Sequence, residues 1–195
     1  IARPEPQAVW RKLLTDHEWE RMADATFLHD KSKIVLSEND RGKWTQKKGM
    51  PDQWFISYQY KDMKLRFRLG LTAFKHVGIF PEQAVNWNFI YDTIHDIKEN
   101  SVSVLNLFAY TGGASIAAKS AGADVTHVDS VRQVVTWSRE NMEASALDNI
   151  RWVVEDALKF CRREVKRGKT YNGIILDPPA YGRGPDGEKW VLEDN

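Results

Sequence analysis

The sequence predicts an α/β fold: a parallel sheet covered on both faces, preceded by a small β-rich region. Three observations predict it. From residue 101 onward, apolar runs of strand length alternate with helical segments. Glycines or acidic residues punctuate the junctions between them. Residues 1–75 lack this alternation and break into short strands and turns. The chain has 195 residues, which suits one large domain or one domain with a small companion and allows a real core.

Within the first region, Trp54 to Tyr60 and Lys64 to Leu69 flank Lys61-Asp62-Met63 and read as a hairpin. Lys64, Arg66 and Arg68 alternate with Leu65, Phe67 and Leu69, so one face of the second strand is cationic and the other apolar. The cationic face is either solvated or a phosphate contact. Ser37 to Gly49 is polar and reads as an exposed loop. Phe80 to Asn100 reads as a helix with Pro81 in its first turn and an inward stripe of Val85, Phe89, Ile90, Ile94 and Ile97. A domain boundary is expected at Val77/Gly78, dividing 1–77 from 78–195.

Four strands and three helices are expected beyond it. SVSVLNLFAY is a buried strand, followed by a small-residue helix over 114–121 that Gly122 stops. Asp124 to Val128 is the second strand and 132–146 its helix. Ile150 to Val154 is the third strand, with a helix over 157–167, and Tyr171 to Leu176 is the fourth. In such a sheet a ligand sits outside the carboxyl ends of the strands, which makes those ends informative. They carry Phe108-Ala109-Tyr110-Thr111-Gly112-Gly113, Asp129-Ser130, Glu155-Asp156-Ala157 and Asp177-Pro178-Pro179-Ala180-Tyr181. A glycine turn lets a ligand approach a helix N-terminus. An acid closing the second strand, 17 residues after Gly112, is placed to accept hydrogen bonds from a ribose diol.

Composition excludes several classes. The net charge is +1, with 28 Lys+Arg against 27 Asp+Glu, so bulk charge does not hold nucleic acid. No apolar run approaches a membrane span and no signal peptide opens the chain. The single cysteine, Cys161, excludes a disulfide framework and points to a reducing, cytoplasmic compartment. The five histidines show no metal-ligand spacing, so no metal is expected. Eight tryptophans serve core packing or a stacking surface for bases. Ile1 in place of Met predicts a start inside a longer reading frame.

Residues 102–181, through LNLFAYTGG, HVDS, VEDA and ILDPPAYG, resemble the class I S-adenosylmethionine-dependent methyltransferases. The likeness is to the bacterial branch acting on cytosine C5 or guanine N2 of 23S ribosomal RNA, where Phe-x-Tyr-Thr-Gly (here 108–112) replaces the usual glycine motif. GIFPEQAVNW (78–87) resembles the segment ahead of that fold.

The resemblance implies a Rossmann-like sheet, incomplete here at the C-terminus because three further strands follow in the family. It implies S-adenosylmethionine as cofactor and an RNA base, in ribosomal RNA, as acceptor. Phe108, Tyr110, Thr111 and Gly112 would line the methionine part, Asp129 with Ser130 the ribose, and Asp156 with Ala157 the adenine. Phe80 and Gln83 would close the pocket. Asp177, Pro178 and Pro179 would face the methyl group and acceptor, with Tyr181 stacking on a flat base. The C5-methylating members use a cysteine from a later segment, and Cys161, within a helix, does not match it.

Two rival readings share the fold. A nicotinamide (NAD)-dependent oxidoreductase is permitted by the strand–helix order but lacks the G-x-G-x-x-G fingerprint. A non-catalytic RNA-binding relic would keep the fold without the transfer.

Overall fold

The computed structural model describes residues 1–3, 11–29, 42–72, 76–97, 101–179, 181–183 and 189–191. The chain divides into two compact units, Ile1–Trp54 with Leu69–Gly78, and Phe55–Arg68 with Ile79–Asn195.

The first unit opens with a helix that the strand-and-turn expectation did not contain, α1 (Asp16–Met22). Its start is a capping box: Thr15 Oγ1 accepts from the Glu18 amide, and Glu18 Oε2 accepts from the Thr15 amide at 2.8 Å. β1 (Ala25–His29) then pairs antiparallel with β2 (Gly42–Gln46). The exposed loop expected over 37–49 is therefore corrected at 42–46, and 37–41 lie outside the described residues. The physical reason is Trp44, whose ring packs edge-on against Phe27 at 5.1 Å. Its indole donates to the Thr72 carbonyl at 2.8 Å.

The expected hairpin is β3 (Gln53–Tyr60) and β4 (Met63–Gly70), of which Phe55–Arg68 belongs to the second unit. On β4, Met63, Leu65 and Phe67 are buried while Lys64 and Arg66 are exposed. The cationic row is not uniform. Arg68 pairs with Glu140 and lies 4.2 Å over the Trp137 ring.

A 3-10 turn, Pro81–Gln83, leads into α2 (Ala84–His95) in place of one helix from 80. The expected inward stripe is corrected as well. Val85 and Phe89 are each 70% exposed, and the buried residues are Trp87, Tyr91 and Ile94. The hairpin decides this face: Tyr58 and Phe67 pack on Trp87, and Tyr60 on Tyr91. Aromatic contacts outweigh the aliphatic periodicity.

The remaining elements alternate as expected: β5 (Ser103–Leu107), α3 (Gly113–Ser120), β6 (Asp124–Asp129), α4 (Arg132–Ala144), β7 (Arg151–Val154), α5 (Ala157–Lys166) and β8 (Gly173–Leu176). They end in a small antiparallel pair, β9 (Tyr181–Arg183) and β10 (Lys189–Val191). The four central strands are parallel in the order β7-β6-β5-β8. The chain moves outward from β5 through β6 to β7, then returns to the other side of β5, so the strand order reverses between β5 and β8. That reversal is where such sheets open a crevice. Leu107 is level with Val128 and with Leu176. The next residues, Phe108, Asp129 and Asp177, therefore emerge together from the carboxyl edge.

Leu105, Leu107, Val128, Ala157 and Phe160 form a core beneath that edge, with Phe108, Val153, Cys161 and Tyr171 against it. Each large apolar side chain so buried contributes about 1.5–3 kcal/mol, so the strand ends stand on a rigid base. No helix among the described residues is long and apolar enough to cross a membrane.

Candidate cofactor and acceptor site

A cavity of about 380 Å³ lies at the crevice between β5 and β8. Its wall includes Phe80, Gln83, Phe108, Tyr110, Thr111 and Asp177, all singled out from sequence. Gly112, Asp129, Ser130, Asp156, Ala157, Pro178 and Pro179 are not part of that wall. Asp129 bonds to a wall residue directly, and Pro179 reaches one through Trp190.

The loop after β5 has an unusual backbone. Phe108 (φ 54°), Tyr110 (φ 48°) and Gly112 (φ 88°) are all left-handed. For two aromatic residues this costs on the order of 1–3 kcal/mol each, and the surroundings hold it in place. The Tyr110 amide donates to Asp129 Oδ2 at 2.9 Å, and its carbonyl accepts from Ser138 Oγ at 2.6 Å. The Ala109 amide donates to the Val128 carbonyl, and the Thr111 carbonyl accepts from Asn141 Nδ2 at 2.9 Å. Gly113 opens α3, and a Cβ there would lie 2.8 Å from the Trp87 ring, so only glycine lets α2 come this close.

Asp129 accepts from backbone amides, among them Tyr110 on Oδ2 and Val131 on Oδ1 (2.9 Å). Burial pushes its carboxyl up, while the amides of Val131, Tyr110 and Ser130 pull it down. The amides thus fix which way the carboxylate faces, and a carboxylate has lone pairs beyond those they take. Asp156 is the N-cap of α5, its Oδ1 accepting from the Lys159 amide at 2.9 Å. Its neighbour Glu155 is committed to Arg163.

Asp177 is exposed at the end of β8. Gln83 Nε2 donates to its Oδ2 at 3.3 Å, and Asn86 Nδ2 donates to Gln83 Oε1 at 2.7 Å. Across the cavity, the Phe80 and Tyr110 rings stand 5.2 Å apart. Pro179 presents its carbonyl to the Trp190 indole at 2.8 Å, and the Trp190 ring packs 4.7 Å from Phe108. The β9–β10 pair is thereby pinned to both the Asp-Pro-Pro end and the loop after β5. The backbone of Tyr181 lies in β9; its side chain and Ala180 lie outside what is described.

Sequence reasoning missed four of these residues. Asn86 and Trp190 carry no local signal. Ser138 and Asn141 do: they interrupt the inward stripe of α4 between Val135 and Met142, and a polar residue at an apolar position asks for a partner. Cys161 is only partly buried, and burial with Asp156 and Glu164 nearby pushes its thiol up, away from a reactive thiolate. Among the described residues no group of His, Cys, Asp or Glu could hold a metal ion.

Comparison with known proteins finds a matching family and similar chains. The family described as S-adenosylmethionine-dependent methyltransferase matches residues 24–191. A crystal structure of a "SAM Dependent Methyltransferase" from Agrobacterium tumefaciens superposes with a TM-score of 0.85 at 42% identity, covering 98% of this chain and 58% of that one. A protein named "Ribosomal RNA large subunit methyltransferase K/L" from Shewanella frigidimarina is 27% identical over 179 residues, 90% of this chain. The chain spans 24% of that relative's length. A protein of the same name from Shewanella amazonensis is 29% identical over 183 residues.

Proposed function

The chain belongs to the S-adenosylmethionine-dependent methyltransferase family, and from that premise we propose that it methylates an exocyclic amino nitrogen of a nucleic-acid base, in ribosomal RNA. The observation that carries this reading is the cavity at the crevice, where an acceptor carboxylate, Asp177, shares a wall with the aromatic rings of Phe80 and Tyr110. The names of the ribosomal RNA methyltransferases it resembles support the choice of acceptor.

Phe108, Tyr110 and Thr111 of the cavity wall, with Gly112, would hold the methionine end of the cofactor. Asp129 with Ser130 would hold its ribose, and Asp156 with Ala157 its adenine. Phe80 and Gln83 would close the cavity from the α2 side. When bound, the cofactor supplies a methyl group already activated by the sulfonium charge. The protein's task is then placement in line and removal of water, worth up to about 7–11 kcal/mol in favourable cases.

Asp177 Oδ and the Pro178 carbonyl accept N–H bonds from the amine and turn its lone pair toward the methyl. Asp177 would also take up the proton that the amine nitrogen gives up when it is methylated. The Pro179 carbonyl is already taken by Trp190, so it does not compete for the amine. Proline at 178 and 179 removes two backbone donors and stiffens the turn. Stacking on the base is the role proposed for Tyr181, and a base taken from a duplex would have to be extruded to reach the site. The reading places the protein in the cytoplasm, with ribosomes.

Mass spectrometry of RNA nucleosides from cells with and without the intact gene tests it. The expected result is loss of one methylated base from ribosomal RNA. An unchanged RNA profile overturns the RNA assignment. In the purified protein, Asp177→Ala is expected to keep cofactor affinity and lose transfer, and full turnover by that variant overturns the acceptor role.

A further inference from the structure

Behind the loop after β5 lies a chain of buried polar groups that the proposed chemistry does not use. Asn106 is 3% exposed, and Ser115, His127 and Ser138 are fully buried. Asn106 Nδ2 is 2.8 Å from Ser115 Oγ, which is 3.0 Å from His127 Nδ1. On the other side, His127 Nε2 is 3.3 Å from Ser138 Oγ, which is 2.6 Å from the Tyr110 carbonyl. The chain runs from the floor of the cavity, where Asn106 is part of the wall, to the strained peptide of Tyr110.

The direction of every bond follows from counting hydrogens. A carbonyl only accepts, and Ser138 has one hydroxyl hydrogen. Its distance to Tyr110 O is shorter than the 3.0 Å to Val134 O, so the hydrogen goes to Tyr110. Ser138 Oγ then accepts from His127, which requires a hydrogen on Nε2. A neutral imidazole has no second N–H, so Nδ1 accepts from Ser115, and Ser115 accepts from Asn106. The two serine hydroxyl hydrogens and the one imidazole hydrogen are each used once, and Ser115, His127 and Ser138 each donate and accept, which matters because an unmet polar group at zero exposure is costly.

We propose that His127 and Ser138 are positioning residues for the cofactor loop, acting through a one-way relay from Asn106 to the Tyr110 carbonyl that fixes His127 as the Nε2–H tautomer. The relay holds one side of the Tyr110 peptide while Asp129 holds the other, so the loop meets the cofactor already formed. Pre-formed geometry raises affinity because less ordering remains to be done on binding. This rests on the assignment of residues 108–112 to the cofactor.

Two measurements test it on the full chain. In protein labelled with 15N-histidine, long-range proton–nitrogen correlation reads the tautomer of the one ring that disappears in His127→Gln. Nε2–H is expected, and Nδ1–H or a doubly protonated ring overturns the relay; this needs no destabilised variant. Calorimetric titration with S-adenosylhomocysteine reads the second consequence. Ser138→Ala and His127→Leu are expected to bind about tenfold more weakly. His127→Gln, which keeps one donor and one acceptor, is expected to stay within about threefold of wild type. Unchanged affinity in Ser138→Ala and His127→Leu below their melting temperatures reduces the cluster to a packing role and overturns the proposal. Asp129→Ala separates the two claims. If it binds as wild type, the cofactor assignment itself fails. If it loses binding while Ser138→Ala does not, only the relay fails.

Discussion

Gln83 Nε2 donates to Asp177 Oδ2 across 94 residues of chain, joining the turn ahead of α2 to the end of β8. Asn86 takes the other end of the same amide, so Gln83 presents its NH2, not its oxygen, to the carboxylate. The acceptor carboxylate is thereby oriented from outside its own strand.

Gln83→Glu replaces that donor with a like charge beside Asp177. Transfer to ribosomal RNA from cells lacking the gene should fall by about tenfold or more, a larger change than in cofactor affinity. Asn86→Ala should lower kcat more mildly, because Gln83 survives but its amide can turn over. Single-turnover assays with radiolabelled S-adenosylmethionine, alongside calorimetry, read both effects. Loss of cofactor binding in place of turnover would assign the pair to the other substrate.

Asp129 carries two tasks, the Tyr110 amide and the cofactor ribose. Asp129→Ala should weaken S-adenosylmethionine binding by about a hundredfold or more. Asp129→Asn should fall between, since its oxygen still accepts one amide. Calorimetric dissociation constants check the order; equal affinity in all three proteins removes Asp129 from the site.

Trp190 separates two contacts within one side chain. Trp190→Phe keeps a ring against Phe108 and loses the hydrogen bond to Pro179; Trp190→Ala loses both. Turnover should fall in the order wild type, Phe, Ala, with the hydrogen-bond step costing roughly 0.5–1.5 kcal/mol. Identical rates for wild type and Trp190→Phe would leave only the ring contact as relevant.

His127 makes stability depend on pH. Burial pulls its pKa down to about 3, against about 6.5 in an unfolded chain. The folded protein keeps it neutral while the unfolded chain takes up a proton. Its contribution is therefore complete above about pH 6.5 and is lost as pH falls toward 3, by up to about 1.4 kcal/mol per pH unit. Urea unfolding at pH 7, 6 and 5 should show this slope in wild type and a shallower one in His127→Gln. Parallel slopes would place the protonation elsewhere.

Much of the second unit was legible because its strands are apolar runs closed by glycine or acid, and local pattern suffices for that. The loop at 108–113 and the acids at 129 and 177 stand out for the same reason. What was not legible depends on distant partners. Val85 and Phe89 look inward by spacing, yet Trp87 and Tyr91 win the face because Tyr58, Tyr60 and Phe67 arrive from the hairpin. Strand β2 needs Phe27 and Thr72 to hold Trp44. Helix α1 is a different case. Its capping box, Thr15 to Glu18, is local and stands in the sequence, but the helix it starts is only seven residues long and the region around it is strand-like.

Ser138 and Asn141 lie three positions apart on α4 and hold the consecutive carbonyls of Tyr110 and Thr111. The helix thus works as a ruler laid along the loop. One residue added or removed between Val131 and Ser138 would turn both side chains by about 100° and leave the two carbonyls ungripped. A change of helix length ahead of Ser138 therefore means rebuilding the loop as well.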